Sequence, residues 1–408
     1  MKKKMIMLYC DCPSRFDFFC RIYDAIQKHS DWLPRIIATD LSTITRCLLR
    51  GINSHLIYAN SNTGELDEKF ISYNSSLEKL KHLLNDEELK INYWSSRLFL
   101  RSFSEKNKKF LLYLCVWNGS QVVSMALADE IKALGGRCLF LELGNLPGLM
   151  QVDPVGVNAF SSIYYEPWRL SNFNIDPASF NNWVDSFISH KSKTAVPPQV
   201  TQKKPSLFWY ALDYLSRLLP IIIARHRVSP WRMVFGTKTR KKTYIGDEKR
   251  TLKKASYCFF PMQVPDDTQL LVHSDIGNKE AIFQSLIEAR LIGLPLVVKK
   301  HPADNSIESD YLLNEISSIP DVTISTLNTY DLIVGAEKVF TINSSVGIEA
   351  YIFEKKVKFW GRCVYEKIIN RQMLANYVMG YLIPLEPFSN SEVSKYAVHQ
   401  FLSRYELD

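Results

Sequence analysis

Four short stretches of the chain combine groups that could do chemistry with apolar runs that end beside them. In "LPLVVKKHPADN" (294–305) an apolar run stops at Lys299, Lys300, His301 and Pro302. Pro302 cannot donate to a strand ladder, so His301 is expected just past the strand end. Adjacent strand residues point to opposite faces, so Lys299 and Lys300 cannot act together. An imidazole can donate to a phosphate, and Lys300 could offset negative charge. In "FFPMQVPDDTQLLVHS" (259–274), Gln263, Asp266, Asp267, His273 and Ser274 follow another apolar run. Paired acids after a proline also suit a turn or a helix cap. In "FTINSSVGIEA" (340–350), Asn343, Ser344 and Ser345 lie between a strand and a helix. Hydroxyls beside free N–H groups suit an anion, with Gly347 permitting close approach and Glu349 placed for ribose hydroxyls. Ser344 fits an ordinary N-cap equally well. In "LELGNLPG" (141–148), Glu142 ends a strand before Gly144 and Gly148.

These groups suit transfer from a nucleotide-activated sugar. His301, Ser344 and Ser345 could stabilise a departing phosphate. Transfer with retention needs one carboxylate to attack and a second to activate the acceptor hydroxyl, and Asp267 and Glu142 are the candidates, with Asp266 competing. No G-x-G-x-x-G or P-loop pattern occurs, which argues against dinucleotides and NTP hydrolysis.

Strand and helix signals alternate through both halves, which predicts an α/β, GT-B-like architecture. Two doubly wound Rossmann-like domains would face a central cleft, where ligands of open α/β sheets bind. The expected partition is residues 1–250 as an acceptor-side domain, 251–385 as a nucleotide-sugar domain, and 386–408 as a C-terminal helix packing back across the domains. Residues 170–250 read as a basic, partly apolar insertion containing "KTAVPPQVTQKKP" and "LLPIIIA".

The chain has 408 residues and a formal charge of +8. That excess is mild. It suits an anionic ligand or membrane surface, and no nucleic acid partner is expected. The eight cysteines lack the paired spacing of a zinc site, so no metal is expected. Cys10 reads as a buried core thiol. The opening "MKKKMIMLYCDCPSR" is too short an apolar run for a signal peptide and reads as a first strand. No segment reaches the roughly 18 apolar residues of a membrane span.

On "LELGNLPG", "FFPMQVPDDTQLLVHS", "VVKKHP" and "NSSVGIEA", the chain resembles the capsule polysaccharide biosynthesis family, which includes bacterial β-Kdo transferases of the KpsS and KpsC types. The resemblance covers about residues 110–365. It implies a GT-B-like fold, a CMP-Kdo donor, no cofactor or metal, and transfer with retention of the β configuration. It implies Asp267 as nucleophile beside Gln263, and Glu142 as acid/base. It implies His301, Ser344 and Ser345 on the donor phosphate and Glu349 on the nucleotide sugar. A lipid or glycolipid acceptor is implied, such as phosphatidylglycerol or a Kdo-lipid, at the cytoplasmic face of the inner membrane. Two other readings fit the same residues: a CDP-glycerol type polyol-phosphate transferase, and a non-enzymatic glycan-binding or export component.

Overall fold

The computed structural model describes residues 2–60, 72–144, 146–193, 206–216, 219, 222–223 and 256–406. The linker "KTAVPPQVTQKKP" beyond Lys193, most of "LLPIIIA" and all of 224–255 lie outside the described residues.

The first sheet is built from β1 (Lys3–Cys10), β2 (Leu33–Ala38), β3 (Ser54–Leu56), β4 (Phe110–Trp117), β5 (Arg137–Leu143) and β6 (Met150–Asp153). Its order is β3-β2-β1-β4-β5-β6, with β6 antiparallel to β5 and all other pairs parallel. Strand β1 shows why both faces are covered. Ile6, Leu8 and Cys10 enter one core with Phe16, Phe19 and Ile26 of α1 (Phe16–His29) and Cys47 of α2 (Leu41–Leu49). Met5, Met7 and Tyr9 enter another with α3 (Asp86–Lys106) and α4 (Val122–Ala133). Alternate residues of one strand thus feed two cores, as a buried parallel strand requires. Helix α3 was not expected from the sequence, although its start carries a capping box between Asn85 and Glu88.

Helices α5 (Pro177–Lys193) and α6 (Leu207–Ser216) come next along the chain. The second sheet holds β7 (Tyr257–Pro261), β8 (Leu296–Lys299), β9 (Val322–Ile324), β10 (Ala336–Thr341) and β11 (Lys356–Phe359). It is wholly parallel, in the order β11-β10-β7-β8-β9. Cys258 and Phe260 of β7 pack towards α8 (Asn278–Leu291) and α9 (Ile307–Ser317). Tyr257 and Phe259 pack on the other face, with α10 (Thr329–Gly335) and α11 (Val346–Ile352). The short α7 (Thr268–His273) sits between β7 and α8. The fold class expected from the sequence, two doubly wound α/β units, is the one observed.

One compact unit comprises Met1–Ser162, Pro198–Thr237 and Leu382–Asp408; the other comprises Ile163–Pro197 and Lys238–Tyr381. This differs from a partition at 250 and 385, because packing rather than chain order groups the segments. Phe187 of α5 lies against Phe353, and Lys191 bonds Glu349, in the second unit. The last helix, α12 (Lys395–Ser403), packs its Val398 and Phe401 into the α1 core of the first unit. Just beyond it, the Tyr405 hydroxyl donates to the Leu114 carbonyl of β4 at 2.5 Å.

Candidate active site

In each sheet the strand order reverses at one point, between β1 and β4 in the first and between β7 and β10 in the second. Open α/β sheets bind ligands outside the carboxyl ends of their strands at such a point. In the second unit the loops there carry most of the candidate residues.

Gln263, two residues beyond β7, is buried and meets Asn343, two residues beyond β10. The Gln263 Nε2 donates to Asn343 Oδ1 at 2.9 Å, and the Asn343 backbone N–H donates to Gln263 Oε1 at 3.1 Å. Asn343 Nδ2 donates onward to the Gln269 carbonyl at 2.8 Å. Asn278, also buried, exchanges two hydrogen bonds with the Gln263 backbone, at 3.0 and 2.7 Å. These amides hold the two switch-point loops together.

Asp267 is exposed and caps α7, its carboxylate accepting from the Gln269 N–H at 2.9 Å. The cap reading therefore holds, without excluding chemistry. Asp266 beside it is also exposed. His273 ends α7 and is buried; burial, reinforced by Arg362, pushes its imidazole down to about 4. Ser274 closes a local turn, donating to the Ile276 carbonyl at 2.8 Å. Neither His273 nor Ser274 shares a hydrogen bond with Asp267 among the described residues.

The "KKHP" junction resolves into three separate tasks. Lys299 Nζ donates to the Leu327 carbonyl at 2.6 Å and to Thr329 Oγ1 at 2.9 Å, tying β8 to the start of α10. Desolvation lowers its ammonium, with Asp331 opposing. Lys300 Nζ turns instead to Asp310 of α9 at 2.6 Å. The charge expected to meet a donor is thus already engaged by a carboxylate. His301 Nδ1 accepts the Ala303 N–H at 3.1 Å. A neutral imidazole carries one proton, so this bond places it on Nε2. Desolvation lowers His301 from its ordinary value, while the carboxylates of Asp267 and Asp304 act to raise it. Asp267 and His301, from the ends of the paired strands β7 and β8, therefore lie in one electrostatic neighbourhood. Asp304 was not singled out in the sequence. It is buried, and its Oδ2 has no hydrogen-bond partner among the described residues.

After β10, Ser344 Oγ accepts from the Val346 N–H at 3.3 Å, so it is engaged at the helix start. Ser345 occupies the N-cap position of α11 and its hydroxyl caps no backbone N–H. It is half-buried, and its hydroxyl makes no hydrogen bond among the described residues. Gly347 does permit a close approach, but to protein: a Cβ there would overlap the Phe359 ring of β11. Glu349 is buried and accepts from Lys191 Nζ at 2.6 Å. Burial raises its carboxyl above the ordinary range, and Lys191 opposes this. Its expected sugar-binding oxygen is held by a lysine that the sequence did not connect to it.

In the first unit Glu142 stands at the end of β5, half-buried. Its Oε1 accepts from the Leu143 N–H at 2.9 Å and its Oε2 from Asn118 Nδ2 at 3.2 Å. Asn118 follows β4, and beyond β1 the buried Asp11 bonds Arg15. The Arg15 guanidinium lies 3.8 Å from the Trp117 ring centroid. Against desolvation, Asp11 and Glu142 hold that guanidinium above its ordinary value. Asp11, Arg15, Asn118 and Glu142 thus form one polar cluster at the strand ends, of which the sequence indicated only Glu142. All eight cysteines are free, and Cys10 is buried in the first core. Among the described residues, no group of three or more His, Cys, Asp or Glu side chains could hold a metal ion. No described helix is long and apolar enough to cross a membrane.

Comparison with known proteins adds a family to this geometry. The chain is 27% identical over 259 residues to Protein FixF of Sinorhizobium fredii, covering 62% of this chain and 49% of the relative. It is 26% identical over 262 residues to the capsule polysaccharide export protein KpsS of Escherichia coli, covering 58% of this chain and 63% of KpsS. The matches thus span about half the length of one curated relative and under two thirds of the other. Among solved structures it is similar to the β-Kdo 2,7 transferase of Thermosulfurimonas dismutans KpsC, at 13% identity and a TM-score of 0.47, over 99% of both chains. Residues 225–368 match the pattern of the capsule polysaccharide biosynthesis protein, a stretch that includes every candidate residue of the second unit. That segment, about a third of the chain, is what the chain shares with the capsule polysaccharide biosynthesis family.

Proposed function

We propose that the protein is a retaining glycosyltransferase that moves β-Kdo from CMP-Kdo to a lipid or glycolipid acceptor in capsule polysaccharide synthesis. One observation carries the reading. His301 presents an Nε2 donor at the end of β8, electrostatically coupled to Asp267 at the end of the adjacent β7. A phosphate-stabilising donor next to a carboxylate is what transfer from a nucleotide sugar requires. Asp267 attacks the anomeric carbon while the bond to the CMP phosphate breaks, and CMP leaves with the electron pair. The His301 Nε2–H and the Ser345 hydroxyl donate to the phosphate oxygens. A general base then takes the proton of the acceptor hydroxyl, whose oxygen displaces the Asp267 carboxylate. Two displacements restore the β configuration. Gln263 and Asn343 act as positioning residues, because their amides already bond each other.

The deciding experiment incubates the protein with CMP-Kdo and either phosphatidylglycerol or a Kdo-lipid, then determines product mass and anomeric configuration. Asp267→Ser is the informative variant. Serine caps a helix about as well as aspartate, so folding is retained while transfer is abolished. Wild-type turnover by Asp267→Ser, or an inverted product, would remove Asp267 as nucleophile. CMP release from CDP-glycerol but not from CMP-Kdo would move the activity to polyol-phosphate transfer.

A further inference from the structure

Asp304 carries a buried carboxylate oxygen that its own turn does not use. The residue lies three positions beyond His301, in the segment that leads from β8 to α9. Its N–H donates to the His301 carbonyl at 3.0 Å, which closes a tight turn. Pro302 stands at the second position of that turn, where its fixed φ is favoured. Asp304 Oδ1 accepts from the Ser306 N–H at 2.8 Å. Oδ2 has no hydrogen-bond partner among the described residues, although Asp304 is only 6% exposed. A buried oxygen of this kind calls for a donor. The ammonium groups at the same strand end are committed elsewhere, Lys299 to Leu327 and Thr329, and Lys300 to Asp310.

The imidazole of the same turn can supply that donor. In its neutral form Nδ1 accepts from the Ala303 N–H at 3.1 Å, and the proton sits on Nε2. A second proton can enter only at Nδ1. It occupies the lone pair that the Ala303 N–H uses, so a donor then faces a donor. The imidazolium needs another acceptor. Turn closure keeps the Cα atoms of His301 and Asp304 within about 7 Å, and His301 is exposed, which gives its ring room to turn. Desolvation disfavours the charged ring. Of the charged groups that act on it, Asp267 at the start of α7 and Asp304 in the turn favour protonation, and Lys299 of β8 opposes it.

We propose that Asp304 is the positioning residue of His301: its backbone closes the turn that presents the neutral ring, and its Oδ2 accepts from Nδ1–H when the ring is protonated. Acidification then exchanges one hydrogen bond for another. The Ala303 N–H loses Nδ1, and Nδ1–H, with a proton taken from solvent, gains Oδ2. The ring turns with that exchange, and Nε2–H leaves the direction in which it meets a phosphate. The inference deepens the proposed role of His301 and rests on that role only for this last consequence.

The test is an NMR titration of the histidine signals of the full chain without ligand, with His301 identified by its absence in His301→Gln. Asp304→Asn keeps the turn and the bond to Ser306, because asparagine accepts at Oδ1 as aspartate does. It replaces the Oδ2 acceptor by a donor. The His301 midpoint is expected to fall by about one pH unit or more, a loss of about tenfold in proton affinity. Asp267→Asn removes a carboxylate that acts through space alone and is expected to lower the midpoint less. In the wild type the Ala303 amide signal should move with the His301 midpoint as it loses its acceptor. An unchanged midpoint in Asp304→Asn, a larger fall in Asp267→Asn, or an Ala303 amide indifferent to the titration would overturn the inference. In CMP-Kdo turnover the acidic limb of kcat should move to lower pH in Asp304→Asn by the same interval. A limb that stays while the midpoint moves would break the link between ring rotation and the phosphate. Absence of turnover would remove the proposed reaction and leave the titration result standing.

Discussion

Gln263 and Asn343 exchange two hydrogen bonds, at 2.9 and 3.1 Å, across the point where the second sheet reverses its strand order. Each residue is buried, so removing one side chain strands its partner's polar atoms. That costs about 1–3 kcal/mol. Gln263→Ala and Asn343→Ala are each expected to lower stability by this amount. The double variant should cost less than the sum, as coupled neighbours do. Because the pair joins the loops that carry Asp267 and Ser345, Gln263→Ala should also raise the donor KM. Additive losses with an unchanged donor KM would show that the pair does not position the site.

A second prediction concerns His301. The Ala303 N–H engages Nδ1 and leaves the Nε2 proton for a substrate oxygen. Loss of one such donor to a developing charge typically costs a factor of about 10²–10³ in kcat, and His301→Ala is expected to fall in that range with near-native stability. Desolvation lowers the His301 imidazole, so the neutral donor persists below its usual titration point. Any acidic limb of the kcat profile due to His301 should therefore lie below about pH 6.5. It should vanish in His301→Gln, which keeps an N–H donor but does not titrate. A limb above that pH, or one retained in the variant, would assign the titration elsewhere.

Gly347 supports the fold at the edge of the site rather than admitting a ligand. An added Cβ would overlap the Phe359 ring and come within 3.3 Å of Thr341 Cγ2. Overpacking of this kind costs about 1–3 kcal/mol. Gly347→Ala is expected to lose that much in a thermal or urea unfolding measurement, and Phe359→Leu in the same chain should restore part of it. If Gly347→Ala alone is as stable as wild type, α11 can shift away from β11 and the packing account fails.

These cases show what was legible in the sequence. The strands were, because β1 and β7 are apolar over nearly their whole length, the mark of parallel strands covered on both faces. The positions of Glu142, Asp267 and His301 were legible because each follows such a run. What those side chains touch was not. Lys300 and Glu349 looked available, yet their partners Asp310 and Lys191 are 10 and 158 residues away in the chain. Arg15 and Asn118 went unnoticed because their link to Glu142 depends on β1, β4 and β5 lying side by side. Local pattern locates strand ends, whereas tertiary pairing decides which polar groups remain for a substrate.

His273 provides the pH test of the second unit. Burial, with Arg362 adding to it, pushes its imidazole from 6.5 down to about 4, so the folded state holds it neutral. The unfolded chain binds a proton near 6.5 that the folded chain binds only near 4. Between those values the unfolded state carries more protons, so stability rises with pH and is lost on acidification. A displacement of that size corresponds to about 3 kcal/mol when fully expressed, at pH below 4. The side chain is 2% exposed, so solvent screening does not erase the effect. His273→Gln removes the titration. Its unfolding free energy, measured by urea between pH 7 and 4, should fall less steeply than that of wild type, the difference approaching one proton. Parallel curves for the two proteins would mean that the buried imidazole accepts its proton without unfolding cost, for example by turning towards solvent.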